Sequence, residues 1–484
     1  MNWWVLKRKL HISWLIAIAC GAIFIGIYFA RYSLFSFTSS VVALLIAIII
    51  ISIVFWRKYI YLIPFLLFGG VIFGLWRGSL SQNELAQFKP LYGKTILIEG
   101  NVKDDVDIGS SNQIVIRLDS LTMKNKSLPG VLYITSSNAN IKRGDKLVLS
   151  GKLQEGFGNF SGVMYRASIK KIISPKPGDI ARVVRDWFAD AIRRVIPEPE
   201  ASLGIGYLVG QRRALPPDLS EALKLAGLTH IVVASGYNLT ILVRLARRLF
   251  IRISKYASAL AAAIMIVIFM AIAGMSPSMS RAGLVSILSL MAWYYGRKFH
   301  PIVLLSVAIA ATVLINPSYA WGDLGWQLSF AAFAGVMIIA PLTQRYLFGD
   351  KKPGTIQQIL GETVSAQLAT APIIIMAFGQ FSNVAVISNL LVLPLVPLGM
   401  LLTFIAGFCS LAIPSIAVFV AMPANWLLRY SVSVTEYLAS LPWVTSTVNL
   451  TWWGIVICYA VIVGLCFYMW RVTGYNLRET NLVE

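Results

Sequence analysis

The sequence predicts an α-helical polytopic membrane protein of about twelve spans, some of them re-entrant, carrying a small external β-barrel domain of OB-like type near its N-terminus. Three observations predict it. Of 484 residues, 57% are hydrophobic and 13% charged, against about 25% charged in a soluble chain. Apolar runs approaching the roughly 20 residues that cross a bilayer core recur along most of the length. From about 86 to 176, by contrast, that hydropathy collapses into short alternating stretches. The formal charge of +21 suits anionic headgroups or a polyanionic substrate, although the Lys/Arg excess of cytoplasmic loops supplies part of it.

Residues 1–80 hold three closely spaced apolar runs, at about 13–30, 41–56 and 60–76, punctuated by Arg31 and Arg57-Lys58. Lys7, Arg8 and Lys9 precede the first run. It is followed at once by two further spans and lacks a clear small-residue cleavage site, so it reads as an uncleaved helix with a cytoplasmic N-terminus. The third helix then ends outside the cytoplasm, and the next segment is external. Within 86–176, five alternating runs (Thr95 to Val102, Gln113 to Asp119, Gly130 to Thr135, Lys146 to Leu153, Tyr165 to Ile173) are separated by turn formers such as Gly156-Phe157-Gly158-Asn159. Five short strands suit a small barrel, and the OB-fold is the first choice among several. Residues 178–197 place Ile180, Val183, Val184, Trp187, Phe188, Ile192 and Val195 on one helical face. That is an amphipathic helix, lying at the membrane interface or packed on the β domain.

Residues 200–472 are again membrane-like, with spans near 227–243, 258–273, 282–296, 302–316, 326–341, 360–378, 385–408, 413–432 and 451–470. Basic runs at roughly every second connection place those loops, and the 473–484 tail, in the cytoplasm. Cys20, Cys409, Cys458 and Cys466 all fall in apolar runs. No CxxC site or disulfide framework is indicated, and no metal or other cofactor is expected.

Polar groups at membrane depth cost a few kcal/mol each, so their clusters mark a pathway or a partner. The first cluster holds His230, Ser235, Gly236 and Asn238 at the start of an apolar helix. Gly-x-Ser-x-Gly is absent there and no acid is near in sequence, so no catalytic residue is assigned. The second is Arg281, after the break at Pro277, with Asp323, Gln327 and Ser329 as its counterpart; an Arg281–Asp323 ion pair and a solvated Asp323 both remain open. The third is Gln367 and Asn389 with the helix-breaking prolines Pro372 and Pro394, which suits a water-filled lumen or interhelical glue. The β domain carries Lys94, Lys103, Arg117, Lys142 and Arg143 beside Tyr92, Tyr133 and Phe160. Cations for phosphates and rings for bases are the ingredients of single-strand binding, a merely solvated basic surface being the alternative.

These blocks together resemble the ComEC competence family: Gly206-Tyr207-Leu208-Val209-Gly210, Gly227, the His230 to Asn238 segment, Ser276 to Ala282, Asp323 to Phe330, and Gln367 to Pro372 with Asn389 and Pro394. The resemblance extends over nearly the whole chain, including the OB-type domain. It implies a channel, not an enzyme, that passes one strand of DNA into the cytoplasm during natural transformation. Two departures stand out. Asn238 occupies a position where many relatives have a second histidine. Many relatives also continue into a metallo-β-lactamase-like domain, whereas this sequence ends soon after its last helix and has only His11, His230 and His300. The resemblance therefore implies a separate nuclease if one is needed. With no P-loop to bind nucleotide, it also implies a separate cytoplasmic motor ATPase, and an external DNA receptor. Self-association into an oligomer is compatible. The competing expectations are a membrane enzyme acting on a lipid-linked substrate through His230, Ser235 and Asp323, and a transporter of another anion.

Overall fold

The computed structural model describes residues 12–32, 59–108, 113–137, 141–175, 178–210, 215–232, 236–274, 277–296, 300–351 and 353–475. The span expected at 41–56, and Ser235, lie outside them. Among the described residues seven helices are long and apolar enough to cross a membrane: Ile12–Ala30, Leu62–Leu91, Lys255–Ala273, Leu324–Phe348, Ile356–Phe378, Ala385–Ala412 and Trp452–Thr473.

Helix Ile12–Ala30 pairs with helix Tyr59–Leu85 along a seam of small residues. A Cβ on Gly26 would fall onto Val71 O and one on Gly74 onto Ile23 O, so glycine permits the backbones to touch where lipid supplies little hydrophobic drive for helix pairing. Arg77, near the far end of that second helix, donates to Leu314 O at 2.9 Å and Ile315 O at 3.0 Å. These are free carbonyls at the C-terminus of helix Pro301–Ile315, where a cation also meets the negative end of the helix dipole.

Among its described residues the polar segment folds as a sheet of nine strands: β1 (Thr95–Val102), β2 (Asp107–Ile108), β3 (Ile114–Met123), β4 (Lys126–Leu128), β5 (Leu132–Ser136), β6 (Lys146–Lys152), β7 (Gln154–Glu155), β8 (Gly162–Met164) and β9 (Ser168–Ile173). The main order is β7-β8-β5-β3-β1-β6-β9, with β2 and β4 both on β3. The β5–β8 pair is parallel and its neighbours are antiparallel. Alternation puts Ile98, Ile116, Leu118, Ile134, Leu147 and Leu149 into one closed apolar core. The five expected runs overlap β1, β3, β5, β6 and β9. Strand β8 escaped the pattern because Gly162, Val163 and Met164 are all buried, which erases alternation.

Helix Ile180–Arg193 is capped by Asp179, whose carboxylate accepts from the Arg182 amide at 3.0 Å. Its surroundings differ from a simple split between an apolar and a polar face. Arg185, on the polar side, is 3% exposed and forks onto Asp105 of the sheet module at 2.5 and 3.0 Å, while also binding Asp186. Phe188 and Ile192 pack over Gly407 of helix Val396–Ala412. Ile180, Val183, Val184 and Trp187 remain exposed. The helix is thus wedged between sheet module and membrane helices, with an apolar edge left outward.

The rest is a bundle whose centre is the short helix Glu200–Val209, in which 201–208 are all buried and Gly204 lies against Thr403 and Leu428. Within the run expected at 227–243, the described helical residues are Thr229–Val232 and Gly236–Phe250. One expectation is corrected. Pro372 does not divide its helix, which continues from Thr355 to Phe378; losing one N–H leaves enough of the ladder to carry the turn. Pro394 does interrupt, sitting in a 3₁₀ turn (Leu393–Leu395) between helices Ala385–Val392 and Val396–Ala412. Pro277 is the first described residue of helix Pro277–Tyr294. Two further features had no signal in the sequence pattern: a π turn at Gly335–Ile339 inside the Leu324–Phe348 span, and a ladder pairing β10 (Gln380–Ser382) with β11 (Thr445–Thr447).

Candidate functional site

Among the described residues the sheet module is fastened to the membrane helices at two places, and both fall on predicted site residues. The β7–β8 loop brings Gly158, at φ 62°, against Gly322; a Cβ on Gly322 would fall onto Gly158 O and within 2.7 Å of Asn159 N. Beside this backbone contact, Asn159 Nδ2 donates to Asp323 Oδ2 at 2.6 Å. The other carboxylate oxygen accepts from the Trp326 amide at 2.7 Å, capping helix Leu324–Ala334. Burial raises the Asp323 carboxyl above its ordinary range, partly offset by the Trp326 amide and by the cations Lys103 and Arg117. Asp323 therefore joins module to bundle, and the Arg281–Asp323 ion pair is not formed.

The second fastening is Arg143. Its side chain is 7% exposed, with Nε donating to Asp179 at 2.6 Å and the two terminal nitrogens to Ile272 O and Ala271 O at 3.3 Å. Those carbonyls end helix Lys255–Ala273. Arg143 is thereby consumed by structure, which corrects its reading as a cation offered to DNA. Of the other proposed contacts in the module, Lys94 and Lys142 are exposed, Lys103 is half-buried, and Arg117 stands 3.8 Å from Asp104. Tyr133 and Phe160 join Phe157 in a mutually edge-on trio with centroids 5.2 to 5.4 Å apart, Phe157 being the exposed member. Tyr92 donates its hydroxyl to Ser161 O at 2.8 Å.

In the bundle, Gly236 of helix Gly236–Phe250 lies directly against Arg281: a Cβ there would stand 3.1 Å from Nη2 and 3.2 Å from Ala282 Cβ. Arg281 is 9% exposed and donates Nη1 to Ser329 O at 3.2 Å, with its guanidinium 5.8 Å from the Phe330 centroid and 5.4 Å from that of Phe333. Gly236, Arg281 and Ser329 are thus assembled in one place. Asn238 is wholly buried and donates to Tyr207 O at 3.0 Å, tying its helix to the central one. The amide needs no imidazole at this position to make that bond. His230 is exposed, with Nδ1 3.1 Å from Gly227 O. Gln327 is half-buried, and its backbone N–H donates to the Asp323 carbonyl in the ordinary helical ladder. Gln367 is half-buried within the long helix, and Asn389 is 6% exposed with an Oδ1 that has no hydrogen-bond partner. No hydrogen bond joins His230 to Asp323, so a catalytic pair of these two is not assembled. Sequence reasoning missed Asn159, Arg77 and Arg185, because each makes its partner across a long sequence gap.

A bundle of membrane-crossing helices carrying a small sheet module, with buried polar groups behind the junction, defines a polytopic membrane protein. Residues 207–472, more than half the chain, match the competence protein family, and the chain belongs to that family. It is also similar to ComE operon protein 3 of Bacillus subtilis (strain 168), at 24% identity over 219 residues. That match covers 44% of this chain and 27% of the relative, so the aligned part spans about a quarter of the relative's length. No solved structure matches.

Proposed function

We propose that this protein takes part in competence DNA uptake as the inner-membrane conduit for a single strand of DNA. The observation that carries the reading, beyond family membership, is the junction at Gly158, Asn159, Gly322 and Asp323, which seats a basic sheet module on the bundle that holds Arg281. The module is read as a closed OB-type barrel. Strands β8 and β9 are two halves of one run, the first paired with β5 and the second with β6, so the order β5-β3-β1-β6 returns on itself. The Arg166 and Ala167 amides between the halves donate to Thr135, bridging the seam.

In this reading the module gathers the strand outside, on exposed cations such as Lys94 and Lys142 and the ring trio around Phe157. The outward apolar edge at Ile180, Val183, Val184 and Trp187 seats it in the outer leaflet. About twelve spans carry the pathway, with both termini in the cytoplasm, and it passes His230, Ser235, Gly236 and Arg281 toward Gln367 and Asn389. The chain is a conduit rather than an enzyme. Each phosphate entering an inside-negative cell costs roughly 2.3 kcal/mol per 100 mV, so a separate motor ATPase, with an external receptor, completes the system. The test compares cells with and without the gene. Surface-bound labelled DNA should persist while the nuclease-protected cytoplasmic pool disappears; an unchanged protected pool in a strain proven competent refutes the reading.

A further inference from the structure

Between Glu221 and Asp323 the sequence holds no acidic residue, yet Arg244, Arg247, Arg248, Arg252 and Lys255 fall within residues 244–255. That stretch forms the turn joining helix Gly236–Phe250 to helix Lys255–Ala273. Its shape is fixed from within: Ser254 Oγ accepts from the Ala257 amide at 2.9 Å, and Ser258 donates its hydroxyl to Arg247 O at 3.0 Å. The Arg247 guanidinium lies 4.0 Å from the Trp293 centroid, and Lys255 Nζ lies 5.6 Å from the same ring. Two cations sharing one ring stand within a Debye length of each other, about 10 Å at 0.1 M salt. Arg244 adds like charge three residues before Arg247 and four before Arg248 on one helix, spacings at which like charges destabilise. The helix dipole favours Arg247 and Arg248 in a last turn, but it opposes Lys255 at the first position of the following helix. Among the described residues none of Arg244, Arg248, Arg252 and Lys255 makes an ion pair. Positive charge is gathered here without a protein counter-charge.

The height of the turn points to what supplies one. The far end of helix Lys255–Ala273 receives Arg143 of the sheet module on Ala271 O and Ile272 O. Its 19 residues carry the chain about 28 Å at 1.5 Å per residue, close to the roughly 30 Å of a bilayer's hydrocarbon core. With the module at one face of the membrane, the cationic turn lies at the headgroups of the other. Leu249, Ile253 and Tyr256 are exposed among the cations. Large apolar groups interleaved with long basic ones suit acyl chains on one side and phosphates on the other, because Lys and Arg snorkel between them. Trp293 and Tyr294, at the end of the neighbouring helix, supply the aromatic residues usual at that level. We infer that the turn between helices Gly236–Phe250 and Lys255–Ala273, with Trp293 beside it, is a binding site for anionic phospholipid headgroups in the leaflet opposite the sheet module. The arginines fork onto phosphate oxygens, and the exposed apolar side chains enter the acyl layer. The site holds whether or not a DNA strand crosses the bundle.

The test uses the full chain in a neutral detergent, stripped of lipid, and follows its melting temperature as phosphatidylglycerol or zwitterionic phosphatidylcholine is added. Phosphatidylglycerol should stabilise the wild type saturably and at far lower concentration than phosphatidylcholine. Arg244→Gln, Arg248→Gln and Arg252→Gln together should weaken the apparent affinity on the order of a hundredfold, each basic residue at an anionic surface being worth about a factor of five. All three side chains are exposed, so the variant should fold. Lys126→Gln, Lys152→Gln and Lys170→Gln together remove the same charge from exposed positions on the sheet module, and should leave the response unchanged. Equal responses in the wild type and the arginine variant, or a lysine control that loses as much as the arginine variant, overturn the site, the charge of the turn then serving topology alone. A single-stranded oligonucleotide or polyglutamate that stabilises the wild type as well as phosphatidylglycerol does, with both effects lost in the arginine variant, also overturns it, since the turn would then take any polyanion. Should the triple arginine variant fail to fold, Arg252→Gln, which lies between the two helices, decides alone through a loss of about fivefold.

Discussion

Replacing Gly322 by alanine isolates the junction between module and bundle. Gly322 has no left-handed backbone to lose, so the only effect of a methyl group is steric. Its Cβ would fall onto Gly158 O and within 2.7 Å of Asn159 N, where ordinary contacts lie near 3.5 Å, so the loop must retreat by about 1 Å. Both neighbours are backbone, and neither can yield by changing rotamer. Overpacking of this kind costs about 1–3 kcal/mol, and the retreat also breaks the Asn159–Asp323 bond, a bond to a carboxylate contributing about 1.5–3 kcal/mol. Asn159 regains water on opening, so the two do not add in full. About 2–4 kcal/mol is expected, or roughly thirtyfold to several hundredfold in the population of the opened junction. Hydrogen exchange of the full chain should show residues 156–161 and 318–324 exchanging faster by that factor, with the interior of the sheet unchanged. Gly464→Ala is the control, since its Cβ would meet nothing within 4 Å. Identical exchange in Gly322→Ala and wild type would refute the claim that this contact holds the module in place.

Arg185→Met should free helix Ile180–Arg193 from the sheet module. Removing one partner of a buried pair costs about 3–5 kcal/mol, reduced here to about 2–3 kcal/mol because Asp105 and Asp186 are partly exposed; earlier proteolysis near 176–180 with a lowered melting temperature is the readout. The Asp179 carboxyl is pushed up by burial, but the hydrogen bond from Arg143, the Arg182 amide and both arginine charges outweigh this and hold it below its ordinary value. A depressed folded value means its stabilisation is complete above about pH 4 and is lost as pH falls through the lower folded value; Asp179→Asn should flatten that acid limb of the melting curve. Thr312→Val removes the acceptor for the Trp326 indole, 3.0 Å away in a buried site, and should lower stability by about 1–3 kcal/mol as measured by thermal melting.

Local pattern carried well wherever a segment's environment is uniform along it. The alternation from Thr95 to Val102 reads as β1 because one face is core and the other is not. The hydrophobic first helix is legible for the same reason. Tertiary partnership is not encoded at that range. Nothing near Arg143 in sequence distinguishes it from Lys142, yet one is buried on carbonyls 128 and 129 residues away and the other is exposed. Asp323 was legible as a polar residue at a helix start, but its partner Asn159 lies 164 residues earlier in a loop that reads only as a turn. The break at Pro394 was signalled by the proline itself, while the continuity of the helix through Pro372 depends on neighbours that composition does not name.

The π turn at Gly335–Ile339 gives one span an unusual tolerance. A wide turn amounts to one surplus residue accommodated in an otherwise α-helical rod, so the segments before and after it already face their neighbours as if that residue were missing. Deleting Val336 would let the rod close into plain α-helix with Trp326 and Phe330 on one side of the excision, and Leu342 on the other, still aimed at their present neighbours. Deleting Ala332 instead, three residues before the wide turn, would swing everything up to it by about 100°. The span thus carries a place where the chain can shorten by one without re-aiming either end, and a neighbouring stretch where it cannot.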